Sequence, residues 1–291
     1  MKAFVDWVLA RRVRPIILAV VAAPLLAPVA SALIALETVR RDFTGGVICG
    51  LGTLAGLLAI AALAGADTSL FAAIGVICAV SGVGVGMLIR RAGNLVLPYQ
   101  MAVLIAMLAV VAIQLLGIDL RSFFGPELHD IVSMLRANDV PPEEIAFIEE
   151  RGAAIAFATG VFWQLVGALL LAYWGSLIAA RQRRFGQEFR RLAMGRVLGA
   201  IATLVIVLGL ASGVELVQNL VPLAALGFSL QGVAVVHAWA HAKRWPPGLV
   251  VPLYVLLLTP AVVLVALPLS LVGVVDNWFD LRALIRPQGV K

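Results

Sequence analysis

The chain has 291 residues, 62% of them hydrophobic and only 13% charged. A water-soluble domain of this size carries about 25% charged residues, so the composition excludes one. Apolar runs near the roughly 20 residues that cross a bilayer as a helix recur along the chain, whereas a barrel would show alternating segments of about ten. The fold class is therefore all-α: a polytopic helical membrane protein. The net charge of +6 is then a marker of the cytoplasmic side rather than of a nucleic-acid partner.

Taken in order, Lys2, Arg11, Arg12 and Arg14 precede an apolar run, a pattern shared with signal peptides. The hydrophobicity continues through Leu36, so the segment is read as retained. Eight apolar segments fall at about 15–36, 44–64, 69–89, 95–117, 152–180, 197–213, 217–240 and 249–275. Pro24 and Pro28 interrupt the first, and Pro252, Pro260 and Pro268 the last. Interior proline removes a helical hydrogen bond and clashes with the preceding turn. Each of these segments is therefore expected to be a short hairpin or re-entrant pair, with arms of about 20 Å. The alternative is eight plain spans with both termini outside. Ala19, Ala23, Ala27 and Ser31 form a small-residue ladder, and SGVGVG (81–86) is read as close helix packing. Cys49 and Cys78, in separate apolar runs, are expected to be free and buried.

Residues 118–151 hold eight acidic residues against three arginines, a local charge of −5, which leaves +11 on the rest of the chain. By the positive-inside rule this loop faces out. Alternation then places Arg40-Arg41, Arg90-Arg91, residues 181–196 and Lys243-Arg244 inside, with Asp67 and Glu215 at outside turns. The broken end segments return both termini to the cytoplasm. The acidic loop is expected to hold two short amphipathic helices: one on Leu128, Ile131, Val132 and Leu135, and one starting at Asp139-Val140-Pro141-Pro142. Residues 181–196 are expected to form a basic interfacial helix. Phe185 and Phe189 would face the acyl boundary, and Arg181, Arg184 and Arg191 the anionic headgroups or a partner protein.

No nucleotide loop, zinc-protease or hydrolase motif is present, so an enzyme is not expected. None of the sixteen acidic residues is expected mid-span, which disfavours ion coupling through a buried carboxylate. Uncharged polar groups do fall in the spans: Gln114, Gln164 beside Trp163, Ser229 and Gln231. Each must meet a neighbouring helix or a ligand. Trp163, Gln164 and Gln231 are the candidate ligand lining. His237 and His241 share a helix face at a two-histidine metal spacing, but with no third ligand evident they read as interfacial, and no cofactor is expected. Asp276, Asp280 and Arg282 around Trp278 are expected to pin the C-terminal end at the headgroups.

RRFGQEFRRL (183–192), LQGVAVVHA (230–238), GVVDNWFDLR (273–282) and ALIALETVRRDFTGGVICG (32–50) together resemble the YybS-like family of predicted bacterial inner-membrane proteins, a domain of unknown function. The first half is distantly similar to the substrate-binding membrane subunits of energy-coupling-factor vitamin importers. That resemblance implies a small-molecule-binding or transport subunit, with a coupling partner and ATP hydrolysis on separate proteins. The alternative is a non-transporting membrane scaffold or envelope assembly factor.

Overall fold

The computed structural model of the chain describes residues 2–257 and 262–285. These residues fold into helices joined by turns, with no strand among them. Pro260, named above, lies outside them. The chain forms two compact units, Met1–Ala102 with Trp163–Ala193, and Val103–Phe162 with Met194–Lys291.

In the first unit the opening segments are α1 (Lys2–Ala10), α2 (Val13–Ala22) and α3 (Ala27–Arg40). The expected break falls between α2 and α3, at Pro24. Pro28 sits in the first turn of α3, where its missing N–H removes no helical bond. The two arms are about 15 and 21 Å long, each short of the roughly 30 Å hydrocarbon core. They run antiparallel. Arg12 and Ile16 at the start of α2 share a small cavity with Glu37 near the end of α3, and Arg40 Nη1 donates to the Leu9 carbonyl at 2.6 Å. The first apolar segment therefore turns back. The small-residue ladder is split by the same break, so Ala19 and Ser31 belong to different helices.

α4 (Phe43–Ala64) and α5 (Thr68–Ala92) follow as unbroken helices. Each starts on an aspartate cap, Asp42 accepting from Gly45 N–H at 2.7 Å and Asp67 from Ser69 N–H at 2.8 Å. Each ends on a left-handed glycine, Gly65 and Gly93. The SGVGVG stretch packs as expected. Gly82 lies against Ile34 and the Ser31 carbonyl, and Gly86 against Thr38 and the Ala35 carbonyl, with no room for a Cβ. Cys49 and Cys78 are free and buried.

One end of this unit is closed by arginines. Besides Arg40 on Leu9, Arg90 Nη1 donates to the carbonyls of Thr38, Val39 and Arg41 at 2.9–3.2 Å. Arg184 Nη2 reaches the Gly93 carbonyl at 3.5 Å. Three helix C-termini thus receive a cation, which satisfies orphan carbonyls and complements the helix dipole.

α6 (Val96–Leu115) and α8 (Pro142–Ala179) contribute to both units. Two expectations are corrected along this part of the chain. The first expected amphipathic helix exists as α7 (Leu120–Ala137), but the second is not separate. α8 runs unbroken for 38 residues, about 57 Å, so the end of the acidic loop is simply the start of the long helix. Nothing after Pro142 interrupts it, and Gly152 is accommodated against Leu128. The helix starts at Pro142 rather than at Asp139, which takes a left-handed turn conformation (φ 54°) between α7 and α8.

The expected helix over 181–196 is the second correction. Between 181 and 194 only α9 (Phe185–Phe189) is helical, and α10 begins at Gly195. Arg181 is left-handed (φ 58°), and the residues after α9 are drawn inward, with Leu192 and Met194 fully buried. The stretch is interrupted on both sides of α9, by left-handed Arg181 before it and by the turn at residues 190–191 after it.

The second unit contains α7, α10 (Gly195–Ala211), α11 (Glu215–Ala242), α12 (Val251–Leu257) and α13 (Val262–Phe279), with 3-10 turns at Pro247–Leu249 and Leu281–Ile285. In the last apolar segment the described residues form α12 and α13, with the expected break at Pro260 outside them, and Pro268 lies inside α13 and does not end it. α11 and α13 pack at backbone distance. Gly232 faces the Leu269 carbonyl and Gly273 faces the Phe228 carbonyl, and a Cβ at either would meet main chain. Ser229 Oγ donates to the Ala266 carbonyl at 2.8 Å. Among the described residues five helices, α4, α5, α6, α8 and α11, are long and apolar enough to cross a membrane, fewer than the eight segments expected.

Candidate functional site

Three arrangements of polar groups stand out, and the first two use the intramembrane glutamines. In the first unit α8 delivers Gln164 to the α3–α5 contact. Its Nε2 donates to Ser31 Oγ at 2.7 Å and to Ser81 Oγ at 2.9 Å. The two hydroxyls are 3.0 Å apart, and Ser81 gives its proton to the Ile77 carbonyl at 2.6 Å. Ser31 is therefore the donor between the two hydroxyls. The small residues that let α3 and α5 approach leave room for only short side chains, which is why serines meet there.

In the second unit Gln231 is fully buried. Its Oε1 accepts the Met194 N–H at 2.8 Å, and so caps the start of α10, where Met194 supplies no side-chain cap of its own. Its Nε2 donates to Asp276 Oδ2 at 2.7 Å. Asp276 is in turn held by Arg282, through Nε at 3.1 Å and Nη2 at 2.5 Å. Asp276 is only 3% exposed, so this is a buried ion pair with both carboxylate oxygens satisfied. Next to it Asn277 Nδ2 donates to the Gly195 carbonyl at 3.2 Å. Trp278 Nε1 donates to Thr203 Oγ1 at 3.3 Å.

The third arrangement is a cavity of about 140 Å³ in the second unit. Asp119, Glu150 and Glu215 line it together with Arg121, Gln114 and Asn219. Its wall is held by Arg121 Nη2 donating to the Glu150 carbonyl at 3.1 Å and by Asn219 Nδ2 donating to Gln114 Oε1 at 3.3 Å. Arg151 pairs with Gln218 nearby. A broader surface groove of about 450 Å³ runs beside the α7–α8 turn, where Arg136 and Glu149 are paired at 2.6 Å.

The candidate lining residues are not gathered. Gln164 and Gln231 belong to different units, each in its own helix contact. Trp163, one residue from Gln164, turns to an exposed face at 46% exposure. None of the three lines the cavities above. His237 Nε2 meets Tyr254 Oη at 2.5 Å, and the two rings pack at 5.7 Å. Among the described residues no three His, Cys, Asp or Glu side chains gather to hold a metal. Phe185 packs on Tyr173 and stacks on Phe189 at 6.1 Å, while Arg181 and Arg191 are exposed.

Three carboxylates escape sequence reasoning: Glu188, 8% exposed and accepting the Leu95 N–H at 3.4 Å, and two that sit deeper. Asp276 was assigned to the headgroups but is buried. Glu37, 2% exposed, lies inside α3, where Arg41 Nε holds its Oε2 at 2.7 Å. Both sit within six residues of an arginine in sequence, and that spacing was the available signal. The chain matches no protein-family model, no curated protein and no solved structure.

Proposed function

We propose that the chain is a multi-pass protein of a bacterial inner membrane, with both termini cytoplasmic, that binds a small polar molecule as a non-catalytic binding or transport subunit. The observation that supports this reading is the cavity of about 140 Å³. Three acidic residues, one arginine and two amide residues around one space suit a small ligand that carries an amine, with Asp119 already capping α7 and Glu150 already paired with Arg151 at 3.7 Å. The resemblance to the YybS-like family and to importer subunits points the same way, as do five helices able to cross a membrane. The exposed Arg181 and Arg191 are left for anionic headgroups or a partner protein. Isothermal titration of the nanodisc-embedded protein with a panel of primary amines and amino acids tests it. One member should bind, and Glu215→Gln should weaken it by about tenfold, the loss of one charge-assisted contact. Absence of binding across the panel, or affinity indifferent to Glu215, removes the cavity from the function.

A scaffold is the second reading, and one observation favours it: Gln164 and Gln231 are both engaged between helices. It expects a native pull-down to recover envelope assembly proteins and no stoichiometric metabolite.

A further inference from the structure

Among the described residues three buried side-chain oxygens lack a partner, and one of them is a carboxylate oxygen, Glu37 Oε1. A buried ionised oxygen with an unmade hydrogen bond is far more costly than a hydroxyl in the same state. Glu37 lines a cavity of about 10 Å³ with Arg12, Gly45, Ile48 and Cys49, enough for one water-sized group. The occupant must be a hydrogen-bond donor. Gly45 N–H is already given to Asp42 and Arg41 already holds Oε2, while the free Cys49 thiol is only a weak donor, so the strong polar group left at the mouth is Arg12, which is exposed.

The depth of the site is set by its neighbours. It lies at the end of α3 beside Arg40 and Arg41, next to α1. There Phe4 and Trp7 are exposed and stacked at 6.3 Å, with Arg14 4.5 Å over the Trp7 ring. Exposed aromatic rings among arginines are the pattern of the headgroup layer. We propose that this cavity takes the primary ammonium of an ethanolamine phospholipid, with Arg12 receiving its phosphate. A primary ammonium is the size of a water molecule and brings N–H donors to Glu37 Oε1. A trimethylammonium is too large and has no N–H. The carboxylate inside and guanidinium at the mouth mirror the two charges of the headgroup.

Native mass spectrometry of the protein released from nanodiscs holding equal amounts of ethanolamine and choline lipids, matched in acyl chains, tests this. The ethanolamine lipid should be retained about tenfold more, one charge-assisted hydrogen bond's worth. Glu37→Gln should erase that preference. Cys49→Met, which narrows the cavity and leaves Glu37 charged, should erase it too. Equal retention of the two lipids by the unsubstituted protein overturns the proposal and assigns the cavity to water. Retention of soluble phosphoethanolamine without any preference between the lipids overturns the lipid source.

Discussion

In the first unit Gln164 is held by two serine hydroxyls, and every group in that knot is neutral. In the second, Gln231 is held by a carboxylate that is itself paired to a guanidinium. The two sequences look alike, a glutamine in an apolar helix, but they carry different penalties. Hydroxyls without a glutamine still satisfy one another or a helix carbonyl. A buried carboxylate without its partners leaves charge in an apolar interior. The neutral knot is therefore adjustable, whereas the ionic one must be kept whole or replaced whole.

Arg282→Ala is the severest way to test that contrast. It leaves Asp276 buried and uncompensated, and should destabilise the protein by about 3–5 kcal/mol. A thermal melt in detergent reads the loss. Arg282→Met with Asp276→Leu should recover part of it, since an apolar pair of similar size replaces a buried ion pair at little cost while Gln231 Nε2 loses its acceptor; no recovery would mean the pair does more than neutralise itself. Gln231→Leu comes next, at about 2–4 kcal/mol, because it strips a bond from Asp276 and uncaps the Met194 N–H. Gly232→Ala should cost about 1–3 kcal/mol through overpacking against the Leu269 carbonyl, while Gly84→Ala, facing open space, should be silent in the same melt. Gln164→Leu should be the mildest of the polar changes, about 1 kcal/mol for two hydrogen bonds at the average of about 0.6 each between membrane helices. A Gln164 effect as large as that of Gln231 would erase the distinction between the knots.

Much of the architecture was legible because it depends on local signals. Pro24 marked the break in the first segment, and SGVGVG marked a close helix contact. Those residues act on their immediate turn. What stayed hidden depends on register between distant segments. Hydropathy places Gln164 in a span but says nothing of Ser31 and Ser81, 133 and 83 residues away. Asp276 and Glu37 sit near arginines at the ends of apolar runs, so composition assigns them to the interface. Helix rotation, which composition does not report, turns both inward. The long α8 was missed because acidity reads as a loop, although Glu143 and Glu144 are good helix formers in a first turn.

The first unit is not contiguous in the chain: it closes only when Trp163–Ala193 joins Met1–Ala102. On the ribosome, at about 5–20 residues per second, the intervening stretch of some 60 residues takes on the order of 3–12 s to emerge. Through that interval α3 and α5 are already made while Gln164 is not. Ser31 and Ser81, 3.0 Å apart, can satisfy each other in the meantime, so the contact between α3 and α5 has a hydrogen-bonded form that does not require the late-arriving helix.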